Sequence, residues 1–423
     1  MLHIQWIREH AEEVQQIANL KKIDINIAEL LEVDRHRRRL IQQVEQLRQL
    51  RNDIAKQIPQ LIREGSRTEA EAKKQEAKQV NQELNTLEPE LTEAEKKFQH
   101  LMLLVPNIVS PDTPVGESDA DNVEIERWGE PKTFDFEPRD HVTLGELHNI
   151  IDIPRGVKTA GTRSYYLRGA GVLLHRAVQQ LAVDLLLAKG FTLLEVPLMA
   201  RTEAFLNTGF FPLGEDQTYR IEGEDERLIG TSEVALVNYY CNEIVDVTDP
   251  IKIAAVSQCF RSEAGSAGRD VRGLYRVHQF AKVEQVVICE ANVETAERMH
   301  QEITEHAKTV LQLLELPYRV VAVCTGDMSQ KTYKQYDIES WMPSREDYAE
   351  THSSSNLLDF QARRAGIRYR DEQGELQYCY TLNNTAVASP RILIPLLENH
   401  QQEDGSIRIP EALRPYLNGM ERI

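Results

Sequence analysis

Arg276, His278, Phe280, Lys282 and Glu284 sit two residues apart in a run, Tyr275 to Cys289, whose other positions are largely apolar. Side chains alternate along a strand, so these five would share one face. A guanidinium suits a phosphate, an aromatic ring stacks on a base, and a carboxylate receives an ammonium or hydroxyl. A solvated outer face of an antiparallel sheet would carry the same types. Upstream, Ile253 to Phe260 reads as a strand and leads into Arg261-Ser262-Glu263. The loop that follows, Ala264 to Gly273, is rich in glycine and arginine but lacks the Lys-Ser/Thr ending of a Walker loop.

Two further sets carry usable chemistry. A strand is expected to end near Leu382. Asn383 to Ala388 then precede Ser389-Pro390, which has the residue types of a helix N-cap and first position. Arg391 would then lie in the first helical turn, an unfavourable place for a cation unless an anion is bound. An arginine that pairs with a nearby carboxylate is the plainer alternative. In Glu350-Thr351-His352-Ser353-Ser354-Ser355-Asn356, a carboxylate and clustered hydroxyls fit a hydrated Mg²⁺ and phosphate, and they equally fit a polar loop. No Ser-His-Asp or Cys-His nucleophilic set is present.

Elements must hold these residues, and the pattern supplies them. The chain has 423 residues, enough for two or three domains. One helix is expected over residues 30–58, where Leu40, Val44, Leu47, Arg51, Ile54 and Ile58 repeat at steps of three and four. Pro59, Gly65 and Ser66 break it, and Ala77, Val80, Leu84, Leu87, Leu91, Ala94, Phe98 and Leu101 resume the repeat. This is a coiled-coil seam folded into an antiparallel hairpin, with Pro89 expected to kink its second helix. A Pro/Gly-punctuated connector covers residues 103–165. A helix over Gly169 to Lys189 ends at Gly190, and strands are expected at 191–196, 251–260, 275–289, 318–324 and 376–382. The fold class is α+β: an antiparallel sheet flanked by helices, with an N-terminal coiled-coil arm.

Bulk properties narrow the class of protein. Charged residues make up 27% and hydrophobic ones 41%, the balance of an ordinary soluble protein. No window approaches a bilayer-spanning run, and no signal peptide is expected at the N-terminus. Five scattered cysteines (Cys241, Cys259, Cys289, Cys324, Cys379) show no metal-ligand spacing, so reduced thiols and no structural zinc are expected. Net charge is −18, which argues against a non-specific nucleic-acid coat. Residues 30–102 hold 14 Lys and Arg against 13 Asp and Glu, so the arm alone repels a polyanion little. Arg35 to Arg39, Arg48, Arg51, Lys56, Arg63 and Arg67 leave nucleic-acid contact open; a dimerisation rod with a solvated charged face would look alike.

The string from Phe260 to Val286, FRSEAGSAGRDVRGLYRVHQFAKVEQV, resembles motif 2 of class II aminoacyl-tRNA synthetases in its seryl-specific form. The helix ending at Gly190-Phe191 and continuing through Val196-Pro197 resembles motif 1, Asn383 to Asn399 motif 3, and Thr231-Ser232-Glu233 the seryl family's TxE loop. The likeness extends to the connector and the C-terminal segment, so it spans the chain. It implies the class II catalytic fold over residues 166–423, a connector over 106–165, and a tRNA-binding domain over 1–105 with its arm at about 30–102. It implies a serine–tRNA ligase that activates L-serine with ATP and Mg²⁺ and transfers it to tRNA(Ser), with tRNA(Sec) a further substrate where present. A cytoplasmic homodimer free of the membrane is implied as well. Position by position, Arg261 and Arg391 are the catalytic cations on the phosphates. Thr231, Ser232, Glu233, Arg261, Glu284, Asn383 and Thr385 bind serine. Arg261, Ser262, Glu263, Val277, Phe280, Glu350, Thr351, His352, Ser353 and Arg391 bind ATP, with Glu350 the Mg²⁺ ligand. Ser232 stands where Ala is common, Ser354 where Cys is frequent, and motif 3 lacks the usual glycines; none of these removes a charged ligand. The alternative is a related ligase that charges a carrier protein, whose members lack the long arm.

Overall fold

The computed structural model describes residues 1–265, 270 and 272–423. Ser266 to Arg269 and Val271, within the glycine- and arginine-rich loop, lie outside the described residues. The chain forms two compact units: His3–Asn19 with Ile23–Val105, and Met1–Leu2, Leu20–Lys22 and Pro106–Ile423.

The first unit is dominated by two long helices, α1 (Ile27–Arg63) and α2 (Arg67–Leu104). Asn26 caps α1 by accepting a hydrogen bond from the Glu29 amide. Gly65, at φ +81°, makes the reversal into α2. The expected seam is present: Val44, Ile54, Val80 and Leu84 are buried together, flanked by Leu47, Ile58, Ala77, Leu87 and Leu91. The helices are longer than expected. α1 continues through Pro59, and α2 starts ten residues before Ala77 and continues through Pro89. Both prolines, and the residues four positions earlier whose carbonyls lose a donor, are exposed, so solvent can satisfy those carbonyls.

The second unit is built on eight strands: β1 (Val123–Trp128), β2 (Thr192–Leu194), β3 (Ile251–Phe260), β4 (Gln279–Cys289), β5 (Tyr318–Ala322), β6 (Lys334–Met342), β7 (Asp347–Asn356) and β8 (Tyr380–Ser389). Their order in the sheet is β1-β5-β6-β7-β8-β4-β3-β2. Every pairing is antiparallel except β2 with β3, so the expected antiparallel class holds. Helices α3 (Ala170–Ala188) and α4 (Val293–Leu313) cover one face. Leu174, Val178, Leu181, Met299, Ile303 and Val310 meet Val283, Val287, Leu382 and Ile338 in the main core. By length and composition α3 could cross a bilayer, contrary to the sequence expectation; its apolar character is that of a core helix.

Three segments differ from expectation. β4 begins at Gln279, so Arg276 and His278 precede the strand. The serine-rich Glu350 to Asn356 is strand, not loop. β8 does not stop at Leu382 but runs to Ser389. Nearly every position of β8 is buried, between β4 and β7 and under helices. Cover on both faces erases the period-two signal, and Asn and Ala are poor strand formers in isolation.

Candidate active site

β4 divides its side chains by parity. Val283, Val287 and Cys289 enter the core beneath α3 and α4, whereas Phe280, Lys282 and Glu284 point into a cavity of about 300 Å³ on the other face. β7 and β8 add to that cavity through a β-bulge at each. Pairing of β7 with β6 slips between Glu350 and His352, making Thr351 the extra residue. Glu350, Ser353 and Ser355 therefore line the same cavity. On β8 the slip falls at Ala386, so Asn383, Thr385 and Ala388 line it together.

At the buried end, Glu233 and Glu284 are 4% and 1% exposed. Glu284 Oε2 lies 2.6 Å from Lys282 Nζ. Burial pushes the Glu284 carboxyl above the ordinary carboxylate range, and Lys282 pulls against that shift. Glu233 Oε1 accepts from Lys331 Nζ at 2.6 Å, Gln361 Nε2 at 2.7 Å and Asn383 Nδ2 at 2.9 Å. Burial lowers Lys331, against the pull of Glu233. Thr231 and Thr385 add hydroxyls to this end.

The wider end carries the guanidiniums. Arg261 lies over the Phe280 ring, 5.2 Å from its centroid, and donates from Nε to Gly230 O at 3.3 Å. Arg276 Nη1 meets Glu263 Oε2 at 2.7 Å. Arg391 donates from Nε to Tyr275 O at 3.1 Å and from Nη1 to Glu350 O at 3.2 Å, and lies 4.3 Å over the Tyr275 ring. Arg391 does not sit in a helical first turn: the helix α5 (Leu393–His400) begins two residues later, with Ile392 at the N-cap. Ser389 ends β8, its hydroxyl 2.8 Å from His175 Nδ1, and caps nothing. The helix-dipole argument for an anion at Arg391 is thereby replaced by one of position, since the guanidinium edges the cavity beside Glu350 at 3.4 Å.

Thr231, Glu233, Arg261, Glu263, Val277, Phe280, Glu284, Glu350, Thr351, Ser353, Asn383, Thr385 and Arg391 thus converge on one cavity. Three of the expected residues do not line it. Ser232 is buried at the N-cap position before Glu233. Ser262 donates its hydroxyl to Asp216 O at 2.5 Å. His352 is 1% exposed, 2.9 Å from Thr351 Oγ1, and burial drives it down to about 3, so it is neutral. Sequence reasoning placed none of Lys282, Arg276, Tyr275 or Lys331 among the site residues, though it offered the Arg276 guanidinium to a phosphate; all four line the cavity. The first two stood in the alternating row, whereas Lys331 carried no local signal. Asp337, behind Ser353, is pushed up to about 8 by burial and by Glu350. Among the described residues no three His, Cys, Asp or Glu side chains form a metal cluster, and all five cysteines are free thiols.

An antiparallel sheet of this order, with arginines at one end of a cavity and buried carboxylates at the other, defines the class II aminoacyl-tRNA synthetase core. Residues 218–400 match the tRNA synthetase class II core domain (G, H, P, S and T), and residues 1–109 match the seryl-tRNA synthetase N-terminal domain. The chain is 46% identical over 422 residues to the serine–tRNA ligase of Deinococcus radiodurans, covering 100% of this chain and 98% of that protein. It is 44% identical to that of Rubrobacter xylanophilus, covering 99% and 98%. The structure of seryl-tRNA synthetase from Pyrococcus horikoshii complexed with ATP superposes with a TM-score of 0.90 at 37% identity, covering 100% of this chain and 99% of that one. The chain belongs to the seryl-tRNA synthetase family and is an ATP-dependent aminoacyl-tRNA ligase. Nothing in these matches favours the carrier-protein alternative, since they include the arm.

Proposed function

We propose that the cavity joins L-serine to ATP and then passes the seryl group to tRNA(Ser), or to tRNA(Sec) where present, with the residues divided between its two ends. The observation that carries this reading is the division itself: cations and an aromatic ring at the wide end, buried carboxylates and hydroxyls at the narrow one. Phe280 stacks on adenine, bordered by the Val277 backbone, and Glu263 receives the base's amino edge. Arg261 holds the α-phosphate together with the serine carboxylate, and Arg391 holds the γ-phosphate. Glu233 and Thr231 receive the serine ammonium. Glu284, Thr385 and Asn383 meet its hydroxyl, so alanine would leave buried polar groups unpaired. A carboxylate oxygen of serine attacks the α-phosphorus in line, giving seryl-adenylate and pyrophosphate. The 3′-terminal hydroxyl of tRNA then attacks the seryl carbonyl and AMP leaves. No side chain forms a covalent intermediate; the chain supplies position and charge.

Glu350 and Ser353 fit Mg²⁺, which binds through one or two carboxylates plus phosphate and retains water; Glu350 is 44% exposed and beside the wide end. When bound, Mg²⁺ would supply charge neutralisation at the phosphates. A homodimer is supported by the family and by apolar side chains left exposed on and after α3: Leu173, Leu187 and Leu193. Cytoplasmic residence follows from the family resemblance. The deciding experiment is amino-acid-dependent ATP–pyrophosphate exchange: serine and Mg²⁺ together should stimulate it, and stimulation by another amino acid but not serine would sink the reading.

A further inference from the structure

The loop Ser329–Thr332 delivers Lys331 to the narrow end of the cavity and owes its shape to outside donors. Lys21, 5% exposed, donates from Nζ to Thr332 O at 2.6 Å, Ser329 O at 3.3 Å and Gln330 O at 3.4 Å. Asn107 donates from its amide nitrogen to Gln330 O at 2.9 Å and from Nδ2 to Lys331 O at 3.0 Å. Four consecutive carbonyls are therefore held by two side chains and one amide. That fixes the backbone of Lys331 and sends its ammonium inward, 3.9 Å over the Phe210 ring, to Glu233 Oε1. An ammonium solvated only by carbonyls is an expensive thing to bury. Burial accordingly lowers Lys21 to about 7.

At Glu233 the three donors Lys331, Gln361 and Asn383 all converge on Oε1. None of these contacts involves Oε2. We propose that Lys331 is a specificity-determining residue of the amino-acid end, anchoring Oε1 so that Oε2 meets the substrate ammonium, and that Lys21 is the positioning residue that holds Lys331 there. The proposal rests on the serine-binding reading of the cavity. Lys21 acts only through the loop and touches nothing that reacts.

The test is steady-state pyrophosphate exchange by the full-length enzyme, with serine and ATP varied separately. Lys331→Met should raise KM for serine at least tenfold and leave KM for ATP within twofold. Lys21→Met should raise KM for serine in the same way with kcat nearly unchanged, and Lys21→Arg, which keeps donors for the carbonyls, should recover part of the affinity. The double variant Lys21→Met, Lys331→Met should be no worse for serine than Lys331→Met alone. Multiplying effects, or equal loss in both KM values, would mean that Lys21 merely supports the fold and would overturn its role. If Lys21→Met does not fold, serine titration of Lys21→Arg and Lys331→Met by calorimetry decides: unchanged affinity in both overturns the proposal, and weakened binding in Lys331→Met upholds the role of Lys331. Glu284→Ala separates the two levels of inference. Serine dependence lost in Glu284→Ala but intact in Lys331→Met overturns this proposal alone, whereas serine dependence intact in both overturns the cavity reading beneath it.

Discussion

The narrow end of the cavity and the coiled-coil arm use the same ion pairs in opposite surroundings. Lys331–Glu233 and Lys282–Glu284 each close to 2.6 Å, with side chains no more than 11% exposed. On the arm, Lys73–Glu76, Lys74–Glu71, Lys96–Glu93 and Lys56–Asp53 lie three residues apart along the helix surface, and every partner is at least a third exposed. Water competes with the second group and salt screens it, so each such pair is worth a few tenths of a kcal/mol. In the cavity, desolvation makes each charge depend on its partner, and removing one leaves the other stranded. Asp34 is the arm's exception: fully buried, it receives Arg8 at 2.7 Å, Arg38 at 3.1 Å and Arg37 at 3.5 Å. The arm thus leaves most of its charge to solvent, and the narrow end of the cavity holds its charge in buried pairs.

The largest effect should come from separating the two regions. Deleting residues 30–102 should leave serine-dependent pyrophosphate exchange nearly intact and abolish tRNA charging; loss of both would mean the arm is needed for the cavity itself. Mixing this deletion with Arg391→Ala subunits should restore part of the charging activity if the dimer shares its work across subunits. Within the cavity, Glu284→Ala and Arg391→Ala should each cost about 2.7–4 kcal/mol of transition-state stabilisation, read as a fall in exchange rate with unchanged circular dichroism. In the arm, Ile54→Ala should cost about 2–3 kcal/mol of helix-hairpin stability, measured by thermal melting, and leave exchange untouched.

Acid should divide the regions next. His300, His352 and His400 are buried, and burial lowers them to about 4, 3 and 4. Unfolded, each binds a proton near pH 6.5. The unfolded chain therefore holds more protons between those values, and stability falls as pH drops through that window, by about 1 kcal/mol per histidine from 6.5 to 5.5. All three lie outside the arm, so denaturation midpoints of the whole enzyme should fall from pH 7 to 5 while Ile54 variants add nothing to the slope. The smallest effect belongs to Arg48→Ala. Its exposed pair with Glu88, at 2.8 Å, should cost no more than about 1 kcal/mol, and less as salt rises.

How much of this was legible in the sequence follows from the same contrast. The arm's seam could be read because its other faces are wet, which keeps the three-and-four spacing clean. β4 could be read because charge on alternate positions survives against an apolar opposite face. β7 could not, since Glu350 to Asn356 offers serines where a strand usually offers branched apolar residues. Taking short runs as blocks also overshoots. In Thr231 to Glu233, Arg261 to Glu263 and Glu350 to Ser353, the motif is continuous but only some of its side chains face the cavity. Lys331 had no local mark at all, because its place depends on carbonyl contacts from residues 310 and 224 positions away.

A strand is a wave of period two, and a bulged residue shifts it by half a cycle. On β7 the crest that carries Glu350 would, without Thr351 as the extra residue, arrive at Ser354 instead of Ser353, and on β8 the crest from Thr385 would reach Val387 instead of Ala388. The wide and narrow ends of the cavity are therefore written in opposite phases of the same strands and brought into step by one residue each. A single-residue deletion at Ala386 would leave every ligand in the sequence and turn those on one side of it away from the cavity.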